Sequence, residues 1–526
     1  MAIDRRKFVL GLGSGGLLLA GSRHLLAADH RMLLPATATP GFDPDIELEL
    51  VAEPGVAEML QGQRTSIWRY SGSVLKGNDS SLTWLDGSGY LPVIRVHRGQ
   101  KLRIHFTNNL PEASIVHWHG LHMPQPMDGH PMYAIDPGSS FVYEFTVDTR
   151  AGTYWFHPHP HQRTGFQVYQ GLAGLFLVHD DEEDAAHLPP VERELPLVLQ
   201  DRSFDAQGQL VYLGGMRHDY MMGFSGQRVL VNGVADYQRE VARTAHRVRL
   251  FNGSNATLYH LRWSDNRPLV VIGTDGGLLE HSISRNTLTL GVGERADVWV
   301  DFSDREPGAS VSLLAESYSP SLVNFTAQQR GAPLQDDARA VATFTISSGA
   351  ATPVEAPQML SRFPALVLEE AVNGNNPRSI RISMGMGSAM LNNRTFGAMD
   401  EVADDDRVRL GTTEVWEFAN DASMGMGMGG RGGGMGGMMS MAHPMHVHNV
   451  QFRVLSRTRN DRADSTQQRL SEGFTDFGLK DVVLVLPGER VRVLMSFQTH
   501  TGIYLYHCHI LEHEDLGMMR NFLIEA

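Results

Sequence analysis

The chain has 526 residues, with 59 acidic against 45 basic side chains and a net charge of −14 when histidine is neutral. Such a length holds about three domains of ordinary size, and an acidic balance without a long Lys/Arg run excludes nucleic acid as a partner. A single cysteine rules out any intrachain disulfide, so stability must come from elsewhere, apolar cores first.

The chain starts with Asp4-Arg5-Arg6-Lys7-Phe8-Val9, followed by a Gly-rich, weakly apolar run to about Ala20. That run is too short to span a bilayer and fits a signal peptide. Arg5-Arg6 ahead of Phe8 resembles a twin-arginine (Tat) leader, the signal of an export machinery that moves folded proteins. Asp4 stands where Ser or Thr is usual, and no clean Ala-x-Ala site precedes Asp29, which leaves the cleavage point open. The expectation is a leader over 1–28 and a periplasmic, monomeric protein with no stable membrane insertion.

Beyond the leader, apolar and polar residues alternate, as in Ile46-Glu47-Leu48-Glu49-Leu50, Phe141-Val142-Tyr143-Glu144-Phe145 and Val491-Arg492-Val493-Leu494-Met495. Period two between Gly, Pro and Asn marks strands, and no long stretch keeps the 3.6 period of a helix. The 54 glycines suit an all-β chain with many turns. An internal repeat sharpens the reading. Pro137-Gly138, Gly293-Glu294-Arg295 and Pro487-Gly488-Glu489-Arg490 each lead into an alternating run, and Gly152–His159 mirrors Gly502–His509. Three copies of one Greek-key β-sandwich are predicted, over 42–188, 191–348 and 358–526, with breaks near Pro189-Pro190 and in the Ala/Pro/Ser-rich stretch Ser348–Pro357.

Four His-x-His pairs follow in chain order: His117-Trp118-His119, His157-Pro158-His159, His446-Val447-His448 and His507-Cys508-His509. Two lie in the first unit and two in the third. On a strand, residues i and i+2 share a face, so each pair serves one cluster from one side. Eight imidazoles suit copper, and no oxygen cage for Mg or Ca is present. Gly120, after the first pair, lets backbone approach the cluster. The last pair brackets the lone cysteine, and Cys508 is followed by His513 and Met518. Thiolate, imidazole and a weak axial thioether are three of the four ligands of a trigonal blue-copper site. Neighbours of Cys508 in an extended segment point the other way, so His507 and His509 serve a second centre.

The run His507–Met518 resembles the C-terminal motif of the multicopper oxidases. The resemblance extends over essentially the whole chain beyond the leader, and it implies three cupredoxin-like domains and four copper ions. It also implies oxidation of Cu(I) or a small reducing substrate coupled to four-electron reduction of O2. Residue by residue, it assigns His117 and His446 to a type 2 copper. His119, His157, His159, His448, His507 and His509 fall to a type 3 pair. His443 joins Cys508, His513 and Met518 at the type 1 site. Asp128 and Glu514 match the family's acidic proton relays, the alternative for each being a solvated surface carboxylate. Asp481 sits where the family places a carboxylate near the type 1 histidine, as a residue that orients a ligand or lines the donor site. The middle unit, without a His-x-His pair, reads as a spacer. Copper bound between the outer units should add stability by mass action.

Methionine is the compositional outlier, 25 in all. Residues 421–441 hold seven of them, Met424, Met426, Met428, Met435, Met438, Met439 and Met441, among nine glycines, and end two residues before His443. A second group, Met384, Met386 and Met390, lies upstream. Such a tract cannot build a core and would pass for a flexible loop, but thioethers select Cu(I). It resembles the Met-rich inserts of the bacterial copper-efflux (cuprous) oxidases, and Met441 matches one of their substrate-copper methionines. The acidic partner expected two residues earlier is Met439 here, with Asp421 or Asp400 as candidate substitutes. The tract implies weak activity on phenols, raised by added Cu(II) or by deleting 421–441. Two other readings stand beside this one. One is a laccase or bilirubin-oxidase-like enzyme; the other is a non-enzymatic protein, a copper buffer or a copper-free structural cupredoxin.

Overall fold

A computed structural model describes residues 38–526 except 214–216, 320–337, 363–365, 386, 422–440 and 460–464. The leader 1–28, Met386 and six of the seven methionines of the 421–441 tract, Met424, Met426, Met428, Met435, Met438 and Met439, lie outside the described residues. No helix among the described residues is long and apolar enough to cross a membrane.

The alternating runs become strands with one face inward: Ile46–Leu60 buries Ile46, Leu48 and Leu50 and leaves Glu49 exposed. Among the described residues the strands form six sheets, which pack as three β-sandwiches. In the first, one sheet has the order Gln63–Lys76, Ile46–Leu60, Lys101–Asn108, Ser140–Thr146. The other runs Leu82–Trp84, Pro92–His97, Gly174–His179, Gly152–Pro158, Val116–His119. Leu48, Leu102, Ile104 and Tyr143 from one sheet meet Ile94, Trp118, Phe156 and Phe176 from the other in a common core. The third unit repeats the plan. Ile380, Trp416, Phe418 and Val491 of one sheet pack on Met445, Val447, Tyr504 and Tyr506 of the other. The middle unit has its own core around Leu250, Tyr259, Trp263, Val298 and Phe344.

Two smaller apolar clusters join the middle unit to its neighbours. Trp155 and Leu175 of the first unit pack with Val198, Leu230 and Phe251. Leu258 and Tyr318 pack with Ala442, Leu470 and Leu484 of the third. Burying side chains of this size contributes roughly 1.5–3 kcal/mol each, which fixes the outer units on one frame.

Candidate metal centre

Strand register builds the site. Val116–His119 pairs antiparallel with Gly152–Pro158, setting His117 opposite His157 and His119 opposite Trp155. In the third unit His443–Val447 pairs with Gly502–Cys508, setting His446 opposite His507 and Met445 opposite Cys508. The two ladders face each other across the junction of the outer units. His117 stacks on His448 at 3.8 Å between ring centroids, and His119 on His446 at 3.7 Å. All eight imidazoles of the His-x-His pairs are at most 1% exposed.

Their hydrogen bonds show which nitrogen faces inward. Nδ1 of His117 donates to the Asp128 carbonyl at 2.6 Å, and Nδ1 of His446 to the Asp481 carbonyl at 2.8 Å. His157 donates from Nδ1 to Pro158 O, and His507 to Cys508 O. His448 Nδ1 donates to the Asp128 carboxylate, Oδ2, at 2.8 Å. The opposite nitrogens are left over: Nε2 of His117, His157 and His446 has no partner within the protein. Nε2 of His448 and His507 lie 3.2 Å apart, and His509 Nε2 lies 3.3 Å from His119 Nδ1. Buried polar atoms are rarely orphaned, and outward N–H donation with inward lone pairs is how metal-ligating histidines are held. Burial, reinforced for most by neighbouring imidazoles, holds these rings below the usual histidine range, His157 at about 3 and His507 at about 4. They are therefore neutral, the ligand form. The triads His117/His119/His157, His117/His446/His448 and His159/His448/His507 each bring ligand atoms within 4.8 Å of one another.

A second centre adjoins the first. Cys508 Sγ lies 3.4 Å from His443 Nδ1 and 3.7 Å from His513 Nδ1, and all three residues and Met518 are buried. Cys508 N–H donates to Met518 O at 3.0 Å, which ties the thioether residue to the thiol. The short helix Leu511–Asp515 then turns consecutive side chains to opposite tasks. His513 faces the sulfur, while Glu514 lies 3.5 Å from both His159 Nε2 and His507 Nδ1. Both expected relay acids are buried, not solvated, and burial pushes the carboxyls of Asp128 and Glu514 well above the ordinary range.

Two sequence-based expectations are corrected. Asp481 is not beside the type 1 histidine. His446 pairs with Val482 and His443 with Val485, so Asp481 falls at the His446 end of the strand pair. There its Oδ1 accepts from His119 Nε2 at 3.0 Å. The middle unit is also more than a spacer, because Met221 of its helix Arg217–Met222 accepts through its backbone carbonyl from His513 Nε2 at 3.2 Å. Asp421 is engaged by Arg490 at 2.8 Å. Met441 is buried, its carbonyl accepting from Asn420. Sequence reasoning missed Arg295, which grips Asp481, and Trp155, stacked on His157 at 4.2 Å. Arg295 carried no signal, since the matching Arg490 of the third unit is a surface residue.

Two profiles described as multicopper oxidase match residues 68–183 and 370–526. Over 444 residues the chain is 30% identical to a multicopper oxidase of Staphylococcus haemolyticus, spanning 84% of each chain. The chain belongs to the multicopper oxidases. It is also 29% identical to a laccase of Bacillus subtilis over 82% of this chain and 87% of that one. The crystal structure of the McoA multicopper oxidase from Aquifex aeolicus superposes with a TM-score of 0.74 at 32% identity, covering 92% of this chain and 97% of that one. Membership makes this an O2-reducing oxidoreductase with type 1, type 2 and type 3 copper, and its histidine clusters suit those ions.

Proposed function

We propose that this multicopper oxidase oxidises Cu(I) to Cu(II) in copper detoxification and reduces O2 to water. His443, Cys508, His513 and Met518 would hold type 1 copper, and His117 and His446 type 2. His119, His157, His159, His448, His507 and His509 would hold the type 3 pair. Copper held there would supply the redox chemistry, one-electron acceptance from the donor and four-electron reduction of O2. The protein's own part is placement. Cys508 reaches one centre through its side chain and the other through the backbone it shares with His507 and His509. Asp128, on His448, and Glu514, between His159 and His507, are the acids positioned to deliver protons where oxygen is reduced. Export to the periplasm by the twin-arginine route belongs to the same reading and rests on Arg5-Arg6.

The soft-ligand tract 421–441 carries the choice of Cu(I) as donor, because it ends at Met441, two residues before His443 in the chain. Met221 and Met222 lie on the helix whose Met221 carbonyl accepts from His513 Nε2, which brings two further methionines into the chain segment beside that ligand. The test is oxygen uptake by the copper-loaded protein with Cu(I), a phenol and Fe(II) in turn, beside a variant carrying a short Gly-Ser linker for 422–440. Cu(I) should drive uptake fastest in the parent, and the linker variant should lose rate with Cu(I) and gain it with phenol. Unchanged rates with both would make the tract a connector and favour a laccase-type donor. Cu(I) binding without oxygen uptake would make the protein a copper buffer.

A further inference from the structure

Set against five of the other clustered imidazoles, His119 is mounted the other way round. Where His117, His157, His446, His448 and His507 donate outward from Nδ1, His119 donates from Nε2, at 3.0 Å to Asp481 Oδ1. Its Nδ1 is the atom left facing the cluster, 3.3 Å from His509 Nε2. A neutral imidazole carries one ring proton, so an acceptor fixed at Nε2 is what keeps the Nδ1 lone pair free.

That acceptor is itself clamped. Arg295 Nη1 donates to Asp481 Oδ1 and Nη2 to Oδ2, each at 2.6 Å, a two-pronged charge-assisted pair. The guanidinium's other donations go to backbone carbonyls: Nε to Thr153 at 2.9 Å, Nη1 to Gly293 at 3.0 Å and Nη2 to Asp275 at 3.0 Å. All four side chains concerned, His119, Asp481, Arg295 and Asp275, are fully buried. Gly120 closes the fourth side. It has φ +89°, and a Cβ there would lie 2.5 Å from Asp481 Oδ2 and 2.8 Å from Arg295 Nη2.

We propose that Arg295 of the middle unit is a positioning residue for the trinuclear cluster, holding Asp481 of the third unit so that Asp481 fixes the ring proton of His119 of the first on Nε2. Each unit thus supplies one member of the relay, and the cluster is complete only when all three have docked. The inference rests on the histidines being copper ligands, as proposed above. Lysine cannot replace Arg295, because an ammonium is a point charge without the planar fork that matches both carboxylate oxygens.

The test compares copper-loaded full-length parent with Arg295→Lys, Arg295→Gln and Asp481→Asn. Copper content is followed during titration with a chelator, together with the near-ultraviolet absorption of the type 3 pair and the blue absorption of the type 1 site. Groups that orient a metal-bound histidine are worth roughly 10–100-fold in metal affinity. The expected result is loss of two coppers and of the near-ultraviolet band at about 10–100-fold less chelator, with blue absorption retained and lysine giving no rescue. Four coppers held as tightly as in the parent in all three variants would overturn the proposal. So would parallel loss of blue and near-ultraviolet absorption, which would mark the pair as general packing. A parent that never holds more than one copper would instead refute the ligand reading beneath it.

Discussion

Arg247 lies in a buried charge cluster between the first and middle units, and its removal has a computable cost. Its guanidinium is paired with Glu183 and donates to Asp297 Oδ2 at 2.5 Å and 3.0 Å. Arg249 is paired with Glu194 and donates to Thr153 at 3.0 Å and Asp297 at 3.1 Å, and Arg95 reaches Glu194 at 2.8 Å. Three arginines therefore face three carboxylates, a neutral set of which Glu183 and Arg95 belong to the first unit, as does Thr153, the hydroxyl partner of Arg249. Arg247→Met deletes one cation and strands buried anions. Breaking a buried pair from one side costs about 3–5 kcal/mol, far more than an exposed pair is worth. For a cooperative unit of about 150–250 residues each kcal/mol moves the midpoint by roughly 2–4 °C. The first calorimetric transition of the copper-loaded protein should therefore fall by about 6–20 °C at matched scan rate. A fall of less than about 2 °C would refute the view that this cluster locks the middle unit to the first.

The same cluster sets an acid limit. Burial pushes the Glu194 carboxyl up, but Arg249, Arg247 and Arg95 outweigh it and bring it to about 2 from an ordinary 4.5. A depressed carboxylate contributes stability that is complete above its unfolded value and lost as pH falls through its folded one, here between about 4.5 and 2. The difference is worth about 3 kcal/mol, so the first transition should drop steadily as pH is lowered from about 5; a midpoint flat to about pH 3 would contradict this. Asp128→Asn should cut turnover with O2 by about 10²–10⁴-fold. It should leave anaerobic bleaching of the blue absorption by reductant unchanged, since Asp128 touches only His117 and His448 among the histidines. Stopped-flow measurement of the two half-reactions separates these, and equal slowing of both would place Asp128 outside proton delivery.

Much of the architecture was legible because it is periodic. Alternation every second residue marked the strands, and the mirrored runs ending in His159 and His509 marked two units that would face one another. The spacing from Cys508 to His513 and Met518 shows in the chain because one short helix keeps those residues together in space. What stayed hidden depends on register and on contacts between units. Asp481 could be read as a neighbour of His443 until the pairing of His446 with Val482 set which end of the strand it occupies. Arg295 and Arg490 follow the same Gly-Glu motif. Only the burial of one against Asp481, and the exposure of the other beside Glu417 and Asp421, separates their roles. The backbone carbonyl of Met221 on His513 has no side-chain signature at all.

The account rests on Cys508 joining the two centres, and Cys508→Ser tests it most directly. With copper reloaded and its content measured, the serine protein should show no blue absorption and no oxygen uptake with Cu(I) or a phenol. Its near-ultraviolet cluster absorption should persist. A serine variant that consumes oxygen as fast as the parent would contradict the account.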